Sequence, residues 1–180
     1  MDDHPAAIGQ VALRGGMLDN LIELTAEQLI QRQSPVIRKE LSKFSTVRKI
    51  ELIKEALTLE MPECSHAIAE FFSEIGTARS ERNEIVHRTW RATDTDEVTA
   101  LVRVKHNEPE ELVRRVTAES MIALANRLLD LAVELGDWKM TANNANLRRS
   151  AKAPGMPTPV WPLNPPRKSA KDIARRSTTD

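Results

Sequence analysis

Residues 117–136 read TAESMIALANRLLDLAVELG, and this stretch decides the fold class. Met121, Leu124, Ala125, Leu128, Leu131, Ala132 and Leu135 recur at the three-four spacing that lines one side of an α-helix. Thr117 stands where a helix needs a side-chain oxygen to cap its first free amides. Gly136 stands where a left-handed residue commonly ends one. Aromatic residues make up only 3% of the chain and Tyr is absent. Burial must therefore come mostly from Leu, Ile, Val and Ala, which suits helix packed on helix.

Working back from this stretch, three more helices are predicted. Residues 62–90 begin with Pro62, whose missing N–H costs nothing in a first turn. Ile68, Phe71, Phe72, Ile75, Ala78, Ile85 and Val86 then form an apolar stripe running to about His87–Trp90. Ser45 is placed to cap a helix reaching about Leu59, with Ile50, Ile53, Ala56 and Leu57 facing inward. From Ile8 to about Gln33, Val11, Met17, Leu18, Leu21, Ile22, Leu29 and Ile30 keep helical spacing until Pro35 breaks it. Gly15-Gly16 weakens that first helix by about 1 kcal/mol per glycine, so a kink or a later start is expected there.

Between the third and fourth helices the period changes. Thr93-Asp94-Thr95-Asp96 has turn composition, and Val98, Ala100, Val102 and Val104 alternate as a strand would. Its partner is expected around Thr89–Ala92, making a small β-hairpin. The expected fold is thus mainly α: a four-helix up-down bundle over residues 1–140 with a hairpin between helices 3 and 4. Beyond Thr141 the periodicity is lost, and six of the ten prolines fall between Pro154 and Pro166. Residues 141–180 are expected to form a Pro-rich, basic, disordered tail.

The formal charge is zero but unevenly spread. Residues 1–140 carry 18 Lys/Arg against 24 Asp/Glu, whereas residues 141–180 carry 8 against 2. An acidic body excludes nucleic-acid binding through bulk charge, so any such binding must rest on a local patch. Cys64 is the only cysteine, which excludes an internal disulfide and a Cys-rich zinc site. No apolar run reaches the ~18–20 residues that span a bilayer. Met1-Asp2-Asp3-His4-Pro5 lacks the basic start of a secretion signal, so a cytoplasmic location is expected.

One residue of the third helix breaks its stripe. Ile68, Phe71, Ile75, Ala78, Arg82 and Ile85 step by three and four, which places Arg82 on the apolar seam. Burying an unpaired guanidinium is costly. Asn83 and His87, four apart, share a helix face beside that seam. Arg82 lies five residues before His87, about 140° round the helix at ~100° per residue. Only a long side chain wrapping round the helix would bring the three groups to one border of the core.

Arg82-Asn83-x-x-x-His87, late in the third helix of a four-helix bundle, resembles the motif of HEPN domains. The helix order resembles that family over roughly residues 8–136, and the specific residues are these three. The resemblance implies a metal-independent endoribonuclease, and the residue types suit that chemistry. Cleaving RNA through its own 2′-hydroxyl needs a proton acceptor, a proton donor and positive charge on the phosphorane. His87 would be the general acid/base, Arg82 the phosphate clamp, and Asn83 the amide that orients the histidine or bonds the phosphate. One copy supplies one such histidine, so the resemblance also implies a homodimer whose two motifs face each other. Arg79, Arg88 and Arg91, with Arg103, Lys105 and His106 on the hairpin, would flank that cleft and bind RNA. Proteins of this family often act as toxins or in defence, which implies an antitoxin-like protein partner. A non-catalytic HEPN-like interaction or sensing module is the competing expectation, with Arg82 paired to a Glu of a neighbouring helix.

Other residues yield blander readings. His4 falls in a flexible start, and His66 and His106 lack partners at metal spacing, so no metal is expected. No glycine-rich phosphate loop or dinucleotide fingerprint occurs, and no cofactor is expected. Glu81 and Glu84 read as solvated face charges, Ser80 has no base beside it, and Trp90 reads as a packing residue under the hairpin. Pro159-Val160-Trp161-Pro162 in the tail could dock on a partner.

Overall fold

The computed structural model describes residues 3–31, 40–87, 89–92, 97–102 and 111–151. The chain is mainly α-helical, a helical bundle with a small antiparallel sheet. The long helices are α1 (His4–Gln31), α2 (Thr46–Glu60), α3 (Ser65–His87) and α4 (Ala118–Ala151). A 3-10 turn over Pro62–Cys64 precedes α3. Strands β1 (Thr89–Ala92), β2 (Glu97–Val102) and β3 (Glu111–Thr117) lie between α3 and α4. Residues 152–180, including the Pro-rich segment, lie outside the described residues, as do Arg103, Lys105 and His106.

The helix starts follow local chemistry. Ser45 adopts an extended conformation and its Oγ accepts from the Arg48 amide at 3.3 Å, capping α2. At α4 the cap is reciprocal: the Ser120 amide donates to Thr117 Oγ1 at 3.1 Å and the Thr117 amide donates to Ser120 Oγ at 3.2 Å. Serine here plays the part that Glu or Gln plays in a capping box.

Three helix boundaries differ from expectation: α3 begins at Ser65, after the 3-10 turn that holds Pro62, and α4 and α1 each run further than their sequence suggests. α4 does not stop at Gly136 but runs on to Ala151, so residues 141–151 are helix and not tail. The reason is that its apolar stripe continues: Trp138 and Ala142, three and seven residues beyond Leu135, are buried. Burying a large apolar side chain is worth about 1.5–3 kcal/mol, more than the ~1 kcal/mol that a helical glycine costs. α1 likewise passes through Gly15-Gly16 unbroken and begins at His4, which is buried instead of lying in a flexible start. The buried side of α1 runs through Ala7, Val11, Gly15, Leu18, Ile22, Ala26 and Leu29. Met17 falls off that line and is exposed.

The sheet has strand order β1-β2-β3, antiparallel throughout. β1 and β2 form the expected hairpin, with Trp90 opposite Ala100 and Ala92 opposite Val98. β3 was not expected. Ala100 pairs with Arg114 but Leu101 pairs with Leu112, so Val113 is the extra residue of a bulge. A bulge resets the alternation of a strand, and β3 therefore shows no simple period of two in its sequence.

The described residues fall into two compact units, one made of those within 1–18 and 75–129, the other of those within 19–74 and 130–151. The first contains the sheet and the motif residues, with Val11, Ala78, Ile85, Val116, Met121 and Leu128 buried. In the second, Phe71 stands edge-on to Phe72 with ring centres 5.2 Å apart and lies 6.3 Å from the Trp138 ring. Leu57, Ile68 and Leu135 are fully buried there. Lys49 is also buried in that unit, where its ammonium is paired with the Glu23 carboxylate. No helix among the described residues is long and apolar enough to cross a membrane.

Candidate functional site

Arg82 occupies the seam position that its spacing predicts, between buried Ala78 and buried Ile85. It is half-buried. Its Nη1 donates a 2.8 Å hydrogen bond to Oδ1 of Asn83, which is exposed. The stem therefore lies along the core while the guanidinium turns round the helix, as long cationic side chains do at an apolar border. The turn is toward the face that Asn83 shares with His87, one helical turn further on. Nε is buried without a hydrogen-bond partner among the described residues.

The stem has a specific resting place on α1. A Cβ built on Gly15 would stand 2.7 Å from Arg82 Nε, 2.9 Å from Cγ and 3.2 Å from Cδ. A glycine inside a helix often marks a close approach by a neighbouring chain segment. Gly15 is such a place, and Gly16, with nothing within 4 Å of its own added Cβ, is not.

His87 is the last residue of α3 and is exposed. Just beyond it, Trp90 of β1 donates from Nε1 to the main-chain carbonyl of Ile85 at 2.7 Å. The last carbonyls of a helix have no partner within the helix. Trp90 supplies one, so it anchors the end of α3.

Around this end of the unit, polar residues of three helices meet in pairs. Arg127 of α4 lies 3.5 Å from Glu81 of α3, both about one-third exposed. Arg14 of α1 donates from Nη1 to Asn126 Oδ1 of α4. Glu81 is thus engaged by a cation across helices, not simply solvated. Among the described residues the bonded partner of Arg82 is Asn83, not the expected Glu of a neighbouring helix.

The expected RNA-binding arginines are placed only in part. Arg79 lies on α3, half-buried and engaged with a partner. Arg91 lies in β1 with its backbone opposite Thr99. Arg88 lies outside the described residues. Among the described residues, no three His, Cys, Asp or Glu side chains gather as a group that could hold a metal ion.

No protein-family model, no curated protein and no solved structure matches this chain.

Proposed function

We propose that the chain is a metal-independent endoribonuclease of HEPN type. The observation that carries the reading is the Arg82–Asn83 hydrogen bond, which turns the guanidinium from the seam toward the face of His87. In this reading Arg82 stabilises charge on the phosphorane, His87 moves the proton, and Asn83 holds the guanidinium rather than the imidazole. Asn83 thereby takes a different part from the one its residue type first implied. The exposed imidazole at the end of α3 suits a group that must reach a polymer substrate.

A homodimer is part of the proposal, since one chain offers one such histidine and general acid/base chemistry at phosphorus uses two proton-transfer events. RNA as substrate, a cytoplasmic setting, action as a toxin or defence component, and control by an antitoxin-like protein all belong to the same reading. The second reading, a non-catalytic interaction module, is favoured by one observation. Leu13 and Met17, four apart on α1, are 62% and 49% exposed, and Ile122 of α4 is 46% exposed.

The test is incubation of the purified chain with mixed RNA in EDTA, beside an Arg82→Ala/His87→Ala variant. Cleavage by the wild type alone supports the enzyme. Equal activity in both assigns the cleavage to a contaminant, and no cleavage by either leaves the interaction module.

A further inference from the structure

We infer that Gly15 of α1 is a positioning residue for Arg82, fixing from another helix where the phosphate-binding guanidinium of the proposed site stands. The inference rests on that functional reading for its consequence, but its geometry is independent of it. Inside an α-helix glycine is a poor choice, less favourable than alanine. α1 nonetheless has two in succession and runs straight through both. Gly16 is exposed, and among the described residues nothing lies within 4 Å of the place its Cβ would take. Gly15 is buried, and the space where its side chain would be is filled by the middle of Arg82.

The atoms concerned fix the consequence. Contacts at 2.7 Å and 2.9 Å fall on Nε and Cγ. These are not the free end of a flexible side chain but the section that aims the guanidinium. A methyl group at position 15 therefore cannot be met by a small adjustment of the tip. The stem must leave the groove, and the Nη1 bond to Asn83 leaves with it. Nε itself is buried and has no acceptor among the described residues. Arg82 is held from one side by shape and from the other by the Asn83 amide. An arginine free at both ends would lose more rotamer entropy on meeting a phosphate.

The experiment compares Gly15→Ala with Gly16→Ala in the full chain. The Arg82 Nε–H resonance in a ¹H–¹⁵N spectrum, assigned by its absence in Arg82→Lys, reports the stem directly and needs no activity. Gly15→Ala is expected to move that resonance and Gly16→Ala to leave it in place. On RNA, kcat of Gly15→Ala is expected to fall about 100-fold with KM little changed, the scale of loss for a group displaced by about 1 Å. Gly16→Ala should cleave as wild type does. An unmoved resonance in folded Gly15→Ala overturns the inference, whatever the activity. A moved resonance with unchanged kcat removes the guanidinium's position from the chemistry and also overturns it. If wild type itself cuts no RNA, the functional reading fails and the resonance alone decides whether Gly15 seats Arg82. If Gly15→Ala does not fold, Arg82→Ala is added: restored folding supports the contact, and continued failure overturns it.

Discussion

Trp90 Nε1 lies 2.7 Å from the main-chain oxygen of Ile85, so the first strand ties off the helix on which Arg82, Asn83 and His87 stand. The bond is partly buried and satisfies a carbonyl that α3 cannot satisfy itself. Trp90→Phe keeps a ring and removes the donor. It is expected to cost about 1–2 kcal/mol, read as a lower midpoint in urea with an unchanged slope. Amide exchange at the end of α3 should quicken more than in α2. A midpoint equal to wild type would show that the indole serves packing alone.

Gly136 lies within α4, half-buried, with nothing within 4 Å of the position its Cβ would take. Gly136→Ala is therefore expected to stabilise the chain by up to about 1 kcal/mol through helix propensity. The thermal midpoint should rise by roughly 2–4 °C on the scale usual for chains of this size. A helix that in fact ended at Gly136 would show no gain, or a loss from the strained left-handed cap.

Glu134 links stability to pH. Burial pushes its carboxyl above the ordinary glutamate value, the Trp138 indole opposes that shift, and Glu74 and Asp137 add to it. A group whose folded value is raised contributes stability that is full below its unfolded value and is lost as pH rises through the folded one. At neutral pH the charged Glu134 therefore weakens the fold relative to a neutral isostere that still accepts a hydrogen bond. Glu134→Gln should melt higher than wild type at neutral pH, and the difference should vanish once the pH falls below the carboxylate range. A gap independent of pH would place the effect elsewhere.

Lys49 and Glu23 form an unequal pair, with the ammonium 6% exposed and the carboxylate 41% exposed. Glu23→Gln leaves a buried cation facing a neutral amide, whereas Lys49→Met removes the buried charge altogether. Breaking such a pair from one side costs more than replacing the charge with an apolar group of similar length. Glu23→Gln should destabilise by about 1–3 kcal/mol, less than for a fully buried pair because one partner reaches solvent. Lys49→Met should lie within about 1 kcal/mol of wild type. The reverse order in denaturant melts would contradict this.

Much of the fold is legible in the sequence where one period and one cap agree. Ser45 and Thr117 start α2 and α4 as their hydroxyls suggest, and the stripe from Ile68 to Ile85 is buried as its spacing predicts. What escaped is settled by partners distant in sequence. Gly136 looks like a stop because a local rule cannot see that Trp138 will be buried beside Phe71. Lys49 is buried because its ammonium meets Glu23, 26 residues away, which no local pattern shows. β3 hides behind its bulge. At the site, the seam position of Arg82 and the shared face of Asn83 and His87 follow from helical spacing alone. The seat of Arg82 against Gly15 does not, because it depends on a contact between helices far apart in sequence.

In the proposed chemistry Arg82 and His87 together cleave RNA through its 2′-hydroxyl without a metal. The most direct test is single-turnover cleavage in EDTA of an end-labelled oligoribonucleotide and of its 2′-deoxy counterpart, with wild type, Arg82→Ala and His87→Ala assayed in parallel. The expected result is rapid cleavage of the ribose strand by wild type, an intact deoxy strand, and each single variant slower by at least about 100-fold. Cleavage of the deoxy strand, or of the ribose strand at equal rates by wild type and His87→Ala, would contradict it.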